Sequence, residues 1–481
     1  MSKQNSIFTN TSLLVSGNII QRLLSLVTIG MVTRYLGPEK YGVLSFIISF
    51  AMIVSVIWDF GQNTYITREL AASSKSSKSI ISGSLWTKIL SLIVTIPFIV
   101  IYLFFYQKDI GKSNGLLVYL AGTFVVCITG IFECQFSAFK RMEFISLNRI
   151  IRPLVLLVGA YITIKLQFDL SGIVWAYFFS FVATLLFSYQ IARKKFIPMS
   201  ISTSVDSITK CVKEGLPFLL IGISSMILFR LDHIMIASLS GDLELGLYSS
   251  AYTIVEIFIG LFPIVIMNAT FPVITYLFKN DSERFITVFN SVLRIFLFLG
   301  ISITVYLIMY RMEIIEILYG KEFLQGANVL YILTLAVTVF FISSLWSWTL
   351  TAANGQKIVM YASIFAACIN IAANFILIPK LGKSGAAIAT IISEVLQLII
   401  IAVYLRKKII IPIHARVPNI LFAGTVCFGL IWFFKSLGTH LNLPFFVNLG
   451  LSGILSGGIY MGFSVFTKAL DINDLKVLRK N

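Results

Sequence analysis

LGPEKYG (residues 36–42) is a short break between two long apolar runs, and SGDLELG (240–246) is a second break with glycines in the same places. Gly37 matches Gly241, and Gly42 matches Gly246. Two further echoes follow in the same order. Lys88, in the apolar run after the first break and its flanking segment, lies opposite Arg294 at nearly the same offset from the second. LSGIVWAY (170–177) is echoed by KSGAAIAT (383–390), with Ser171-Gly172 opposite Ser384-Gly385. Small residues in short loops recur by chance, but three matches in one order predict an internal repeat.

The runs around these breaks set the class. About fourteen apolar stretches of roughly 20 residues, from 11–35 to 445–467, are each long enough to cross a hydrocarbon core as a helix. Of the 481 residues, 58% are hydrophobic and 12% charged, whereas soluble domains carry about 25% charged residues. The expectation is an all-α integral membrane protein of about fourteen transmembrane helices. Two pseudo-symmetric six-helix lobes would be followed by two appended C-terminal helices. The expected divisions are an N-lobe over 1–192 (spans one to six), a cytoplasmic linker over 193–213 (RKKFIPMSISTSVDSITKCVK), a C-lobe over 214–408 (spans seven to twelve), and spans thirteen and fourteen with a cytoplasmic tail over 409–481. An even number of spans separates the copies, so both have one orientation. Paired lobes about an axis along the membrane normal are a transporter arrangement.

A formal charge of +17 would suggest nucleic acid in a soluble chain. Here the Lys/Arg excess follows the even-numbered spans (Arg68, Lys140, Arg141, Arg193 to Lys195, Arg406 to Lys408), which predicts cytoplasmic loops, cytoplasmic termini and no nucleic-acid partner. The five cysteines form no CxxC pair, and His233, His414 and His440 are dispersed. Neither a disulfide framework, a zinc site nor a catalytic triad is expected.

The informative residues are charges inside the spans. ILFRLDHIMI (227–236) places Arg230, Asp232 and His233 within four positions of a span, where an Arg or Asp costs roughly 2.5–3.5 kcal/mol if uncompensated. Arg22 sits near the middle of span one, and Lys88 and Arg294 about ten residues in from the ends of theirs. Such groups are expected to face a bundle interior or a wet cavity. Each could be a structural pair. Taken together, Arg22, Lys88, Arg230 and Arg294 come from both lobes and suit a cationic cavity for a phosphate or pyrophosphate, which arginine can grip with two parallel hydrogen bonds. Asp59, Asp232, Glu256 and Glu394 are the acids that could tie helices together or couple transport to an H+ or Na+ gradient. No cofactor is expected. His233 reads more naturally as a hydrogen-bonded packing residue than as a titrating switch.

Four segments carry a family resemblance: LGPEKYGVLS (36–45), DFGQNTYITREL (59–70), FRLDHIMIASLSGDLELGLYSSAY (229–252) and NIAANFILIPKLGKSGAAIATIISE (370–394). They resemble bacterial Wzx-type polysaccharide flippases, which export O-antigen or capsule repeat units, in the multidrug/oligosaccharidyl-lipid/polysaccharide exporter superfamily. The likeness covers at least the first twelve spans. It implies alternating access, with an undecaprenyl-pyrophosphate-linked oligosaccharide crossing from the inner to the outer leaflet of the bacterial inner membrane. It also implies a polysaccharide polymerase and a chain-length regulator as candidate partners. Arg22 and Arg230 stand where related transporters use basic residues, and Asp232, in the RLD segment, is as readily architectural.

Three rivals remain open at this stage. A cation-coupled multidrug antiporter of the same superfamily should carry an embedded acid in span one, where this chain has Arg22. A lipid II flippase would share the cationic cavity. A polysaccharide polymerase or acyltransferase would need a large external loop or a catalytic cluster, so the chain reads as a transporter and not an enzyme.

Overall fold

The computed structural model describes residues 3–72, 77–105, 110–197, 202–408, 417–441 and 444–467. Among them there are fifteen α-helices, one 3-10 turn and no strand. The tail beyond 467, residues 198–201 within the expected linker, and 409–416 ahead of the expected thirteenth span lie outside the described residues.

A first compact unit, Met1–Gly246, holds α1 (Lys3–Asp59), α2 (Gln62–Ala72), α3 (Ser77–Phe105), α4 (Ile110–Ala138), α5 (Met142–Lys165), α6 (Leu170–Lys195) and α7 (Val205–Ser240). Within it α1 packs on α4, α5 and α7, α2 on α4 and α7, α3 on α7, and α6 on α4 and α5. The second unit, Leu247–Asn481, holds nearly all of α8 (Asp242–Asn280), then α9 (Ser282–Met309), α10 (Arg311–Tyr319), α11 (Gly326–Ala352), α12 (Gln356–Leu381), α13 (Lys383–Lys408), α14 (Val417–His440) and α15 (Phe445–Phe466). There α11 packs on α9 and α13, α12 on α13, and α14 on α9 and α15. The first compact unit runs on to Gly246 because α7 packs on α1, α2 and α3.

Among the described residues, eleven helices are long and apolar enough to cross a membrane. One of them, Ile20–Asp59, has 40 residues; at 1.5 Å per residue it is about 60 Å long, twice a hydrocarbon core. It breaks at Gly37, whose φ of 72° and ψ of 172° are non-helical. Each half of α1 therefore suits one crossing. The seventh expected span lies in α7, and the apolar part of α15, Gly450–Phe466, is shorter. Each of the fourteen apolar segments falls on a helix among the described residues, and fourteen is an approximate count of crossings.

The repeat has a backbone signature. Gly241, between α7 and α8, has φ 91° and ψ 171°, close to the values at Gly37. Both conformations lie where a Cβ is disfavoured, and in each copy acids follow in the next helical turn (Glu39; Asp242 and Glu244), where they meet the positive helix end. The second echo is also structural. At Gly172 an added Cβ would stand 2.6 Å from Phe168 Cβ and Thr163 Cγ2, and at Gly385 it would stand 2.4 Å from the Leu377 carbonyl oxygen. Each glycine lets its helix, α6 or α13, fold tightly back on the end of the helix before it.

The first unit's core joins α2, α3, α4 and α7 through Tyr65, Ile81, Leu85, Ile131 and Cys211. In the second unit Tyr310, Cys427, Ile431 and Tyr460 form a core, with the Phe298 ring stacked on Tyr460 at 4.5 Å. Large side chains such as Val94, Phe98 and Phe104 remain exposed on α3, as expected of a helix whose solvent on that face is lipid.

Candidate functional site: charges within the helical units

Lys88 is fully buried, and its ammonium is completely used. Its Nζ donates to Asp59 Oδ1 at 2.8 Å, to Asn63 Oδ1 at 2.9 Å and to the Cys127 carbonyl at 2.8 Å. An ammonium has three protons, so this network closes. The turn at Phe60 and Gly61, both at positive φ, aims Asp59 and Asn63 at one point. A Cβ on Gly61 would meet the Gly215 carbonyl at 2.5 Å, so α2 and α7 approach each other there as only glycine allows. Gln62 fastens the same corner: Nε2 donates to the Cys211 carbonyl at 2.9 Å and Oε1 accepts from Ser84 at 2.8 Å. Of the expected cavity cations, Lys88 therefore holds α1, α2, α3 and α4 together, with Asp59 as its counter-charge.

Asp232 and His233 are both buried. Asp232 Oδ1 accepts from the His233 backbone N–H at 2.8 Å and lies 2.7 Å from His233 Nδ1. The expected packing role for the histidine is met by its own sequence neighbour. Arg230, one face away on α7, is half-buried, and Arg22 on α1 is half-buried too. Arg230 and Arg152 of α5 both come within electrostatic range of the Tyr119 hydroxyl on α4. The Arg152 guanidinium also lies over the Phe181 ring, 4.3 Å from its centroid. Arg152 thus joins the first unit's interior cations, although in the sequence it merely crowds the start of a span.

In the second unit Arg294 is buried, and its Nη2 donates to Ser291 at 3.1 Å. Its position matches the repeat, since Lys88 is buried at the equivalent offset of the first copy. Glu256 on α8 and Glu394 on α13 are half-buried. Next to Glu394, Ser393 Oγ accepts from Asn370 at 3.3 Å, and Asn370 Oδ1 accepts from Asn374 at 2.9 Å. This amide ladder pins α12 to α13 and was invisible as a site in the sequence. Among the described residues no group of three His, Cys, Asp or Glu side chains could hold a metal.

At the break between α7 and α8, the Lys112 ammonium grips both Asp242 oxygens at 2.7 and 2.9 Å and lies 4.5 Å from the centre of the Phe46 ring. On the opposite, Lys/Arg-rich side, Arg68 donates to Glu214 at 2.7 Å and to Glu69 at 3.1 Å. The Glu214 hydrogen bond raises the Arg68 guanidinium pKa further above its usual value.

A family model described as polysaccharide biosynthesis protein matches residues 7–278, and one described as lipid II flippase MurJ matches residues 155–451. A probable low-salt glycan biosynthesis flippase, Agl15, of Haloferax volcanii is 23% identical over 94% of this chain and 92% of its own length. A putative O-antigen transporter of Escherichia coli is 21% identical over 80% of this chain and 93% of its own. A solved structure of the lipid II flippase MurJ, in an inward closed conformation, aligns with a TM-score of 0.76 at 18% identity, covering 95% of this chain and 99% of that one. At that identity the likeness bears on the fold.

Proposed function

The chain belongs to the polysaccharide biosynthesis protein family, whose model spans more than half of it, and we propose that it flips lipid-linked glycans across a membrane. It is a transporter, not an enzyme. Its cargo is an undecaprenyl-pyrophosphate-linked oligosaccharide repeat unit for O-antigen or another surface polysaccharide, moved from the cytoplasmic to the outer leaflet of a bacterial inner membrane. The family match across α1 to α8 carries this reading.

The repeat lobes, 1–192 and 214–408, alternate between openings to the two sides, and both termini face the cytoplasm. Arg22, Arg152 and Arg230 of the first unit supply cations for the pyrophosphate, because guanidinium keeps its charge in a low dielectric and presents paired donors; Arg294 is the second unit's own buried cation. Lys88 stands behind them as scaffold. Asp232 belongs with His233 in the wall, while Glu256 and Glu394 are the acids left for coupling to H+ or Na+.

Reconstitution tests this directly. Proteoliposomes loaded with fluorescent undecaprenyl-pyrophosphate-linked oligosaccharide should expose the inner-leaflet half of the lipid to an external glycosidase at a rate set by the protein. A rate equal to that of empty liposomes overturns the reading. Movement of lipid II but not of the oligosaccharide lipid assigns the chain to peptidoglycan precursor instead.

A further inference from the structure

A cleft of about 550 Å³ opens in the first unit between α2, α4 and α5, within the roughly 300–1,000 Å³ range of small-ligand sites. Its polar lining includes Thr64, Thr67 and Arg68 of α2, Glu133 and Ser137 of α4, and Arg149 of α5. It lies on the Lys/Arg-rich side of the unit, away from the Lys112–Asp242 pair.

Each charged group in the cleft has a defined commitment. Glu133 is half-buried; its Oε1 accepts from Asn148 Nδ2 at 2.9 Å, and among the described residues its Oε2 takes no hydrogen bond. Asn148 is held in turn by Ser188 at 2.7 Å, so the carboxylate is fixed in place. The Arg149 guanidinium spends one N–H on Asn18 Oδ1 of α1, leaving the rest of its fork. Arg68 is neutralised by Glu214 and Glu69. A fixed carboxylate oxygen, a partly used guanidinium and several hydroxyls offer acceptors and donors side by side with little net charge.

We propose that this cleft binds an uncharged sugar, as the glycan subsite at the cytoplasmic mouth of the transporter. The proposal rests on the flippase reading and names which part of the cargo goes where. Sugar hydroxyls both donate and accept, and so need a surface that does both. A phosphate would meet the Glu133 carboxylate, and that like-charge contact selects against it. Arg22 lies one helical turn along α1 from Asn18, on the same face. A sugar in the cleft would therefore have the α1 cation beyond it, in line for the pyrophosphate.

Maleimide labelling of Thr64→Cys reads occupancy of the cleft. Cys368 is the exposed native thiol, so the variant is made in a Cys368→Ser background and the parent's labelling subtracted. Glucose, galactose and N-acetylglucosamine at high millimolar concentration are compared with inorganic pyrophosphate. At least one sugar should slow labelling about threefold or more, pyrophosphate should not, and in Glu133→Gln, measured against its own sugar-free rate, the protection should be abolished. Absence of protection by every sugar overturns the proposal. So does equal protection by pyrophosphate, or protection that survives Glu133→Gln. The proteoliposome assay separates the two readings: flipping without sugar protection removes the cleft alone, and sugar protection without flipping removes the flippase.

Discussion

Gly42 and Gly246 bring two helix starts into reciprocal backbone contact: a Cβ on Gly42 would stand 1.8 Å from the Asp242 carbonyl oxygen, and one on Gly246 would stand 1.8 Å from the Pro38 carbonyl oxygen. The two glycine breaks, 36–42 and 240–246, thus meet inside the first unit. Neither methyl can be accommodated unless a backbone moves, and overpacking costs about 1–3 kcal/mol or more. Gly42→Ala and Gly246→Ala should each lower the unfolding temperature in detergent. Gly457→Ala, where nothing lies within 4 Å of the added Cβ, should leave it unchanged or raise it slightly. Wild-type melting of both tight-site variants would refute the contact.

Removing the Lys88 ammonium leaves the Asp59 carboxylate facing an interior built for a cation. Breaking one side of a buried pair typically costs about 3–5 kcal/mol, whereas removing both charges costs far less. Lys88→Met should therefore destabilise strongly, and Lys88→Met with Asp59→Asn should recover much of the loss. A double-mutant cycle on thermal unfolding measures the coupling. Additive losses would mean that the two charges do not depend on each other.

The Lys40–Asp169 pair makes a weaker, pH-dependent prediction. Lys40 at 2.8 Å holds the Asp169 carboxyl below its usual value of 3.8. A lowered carboxylate contributes stability above its unfolded pKa and loses it as pH falls through the folded value. Both side chains are more than half exposed, at 54% and 61%, so screening holds the contribution under about 1 kcal/mol. Asp169→Asn should melt slightly below wild type at pH 7, and the difference should shrink as pH falls below the carboxyl's usual value of 3.8. High salt should remove the difference at pH 7.

Arg230→Glu should abolish transport while the protein still inserts at normal levels, because it reverses the charge where an anion is to be held. Arg152→Glu should do the same, and Arg230→Lys should retain part of the activity, since a point charge replaces a planar fork. Surface polysaccharide at matched protein levels is the readout. Normal polysaccharide in Arg230→Glu would take Arg230 out of the mechanism.

The fold was legible where physics acts locally. Apolar runs of fixed length announce membrane helices, and a glycine needed for positive φ announces itself twice, at Gly37 and Gly241. The site was legible only in part. Asp232 found its partner in the adjacent His233, but the partners of Lys88 come from α1, α2 and α4, and no periodicity links residues 59, 63, 88 and 127. The polar cleft combines three helices whose Glu133 and Arg149 look, one at a time, like a stray acid and a crowded span start. Pairing across helices is set by tertiary packing, which one sequence does not spell out.

Deleting the gene from its host and locating the lipid-linked oligosaccharide with a sugar-modifying probe that cannot cross the inner membrane shows whether this protein moves it. A flippase predicts units that accumulate out of the probe's reach, with surface polysaccharide lost and both effects reversed by the wild-type gene. Units that still reach the outer leaflet in the deletion strain would contradict it.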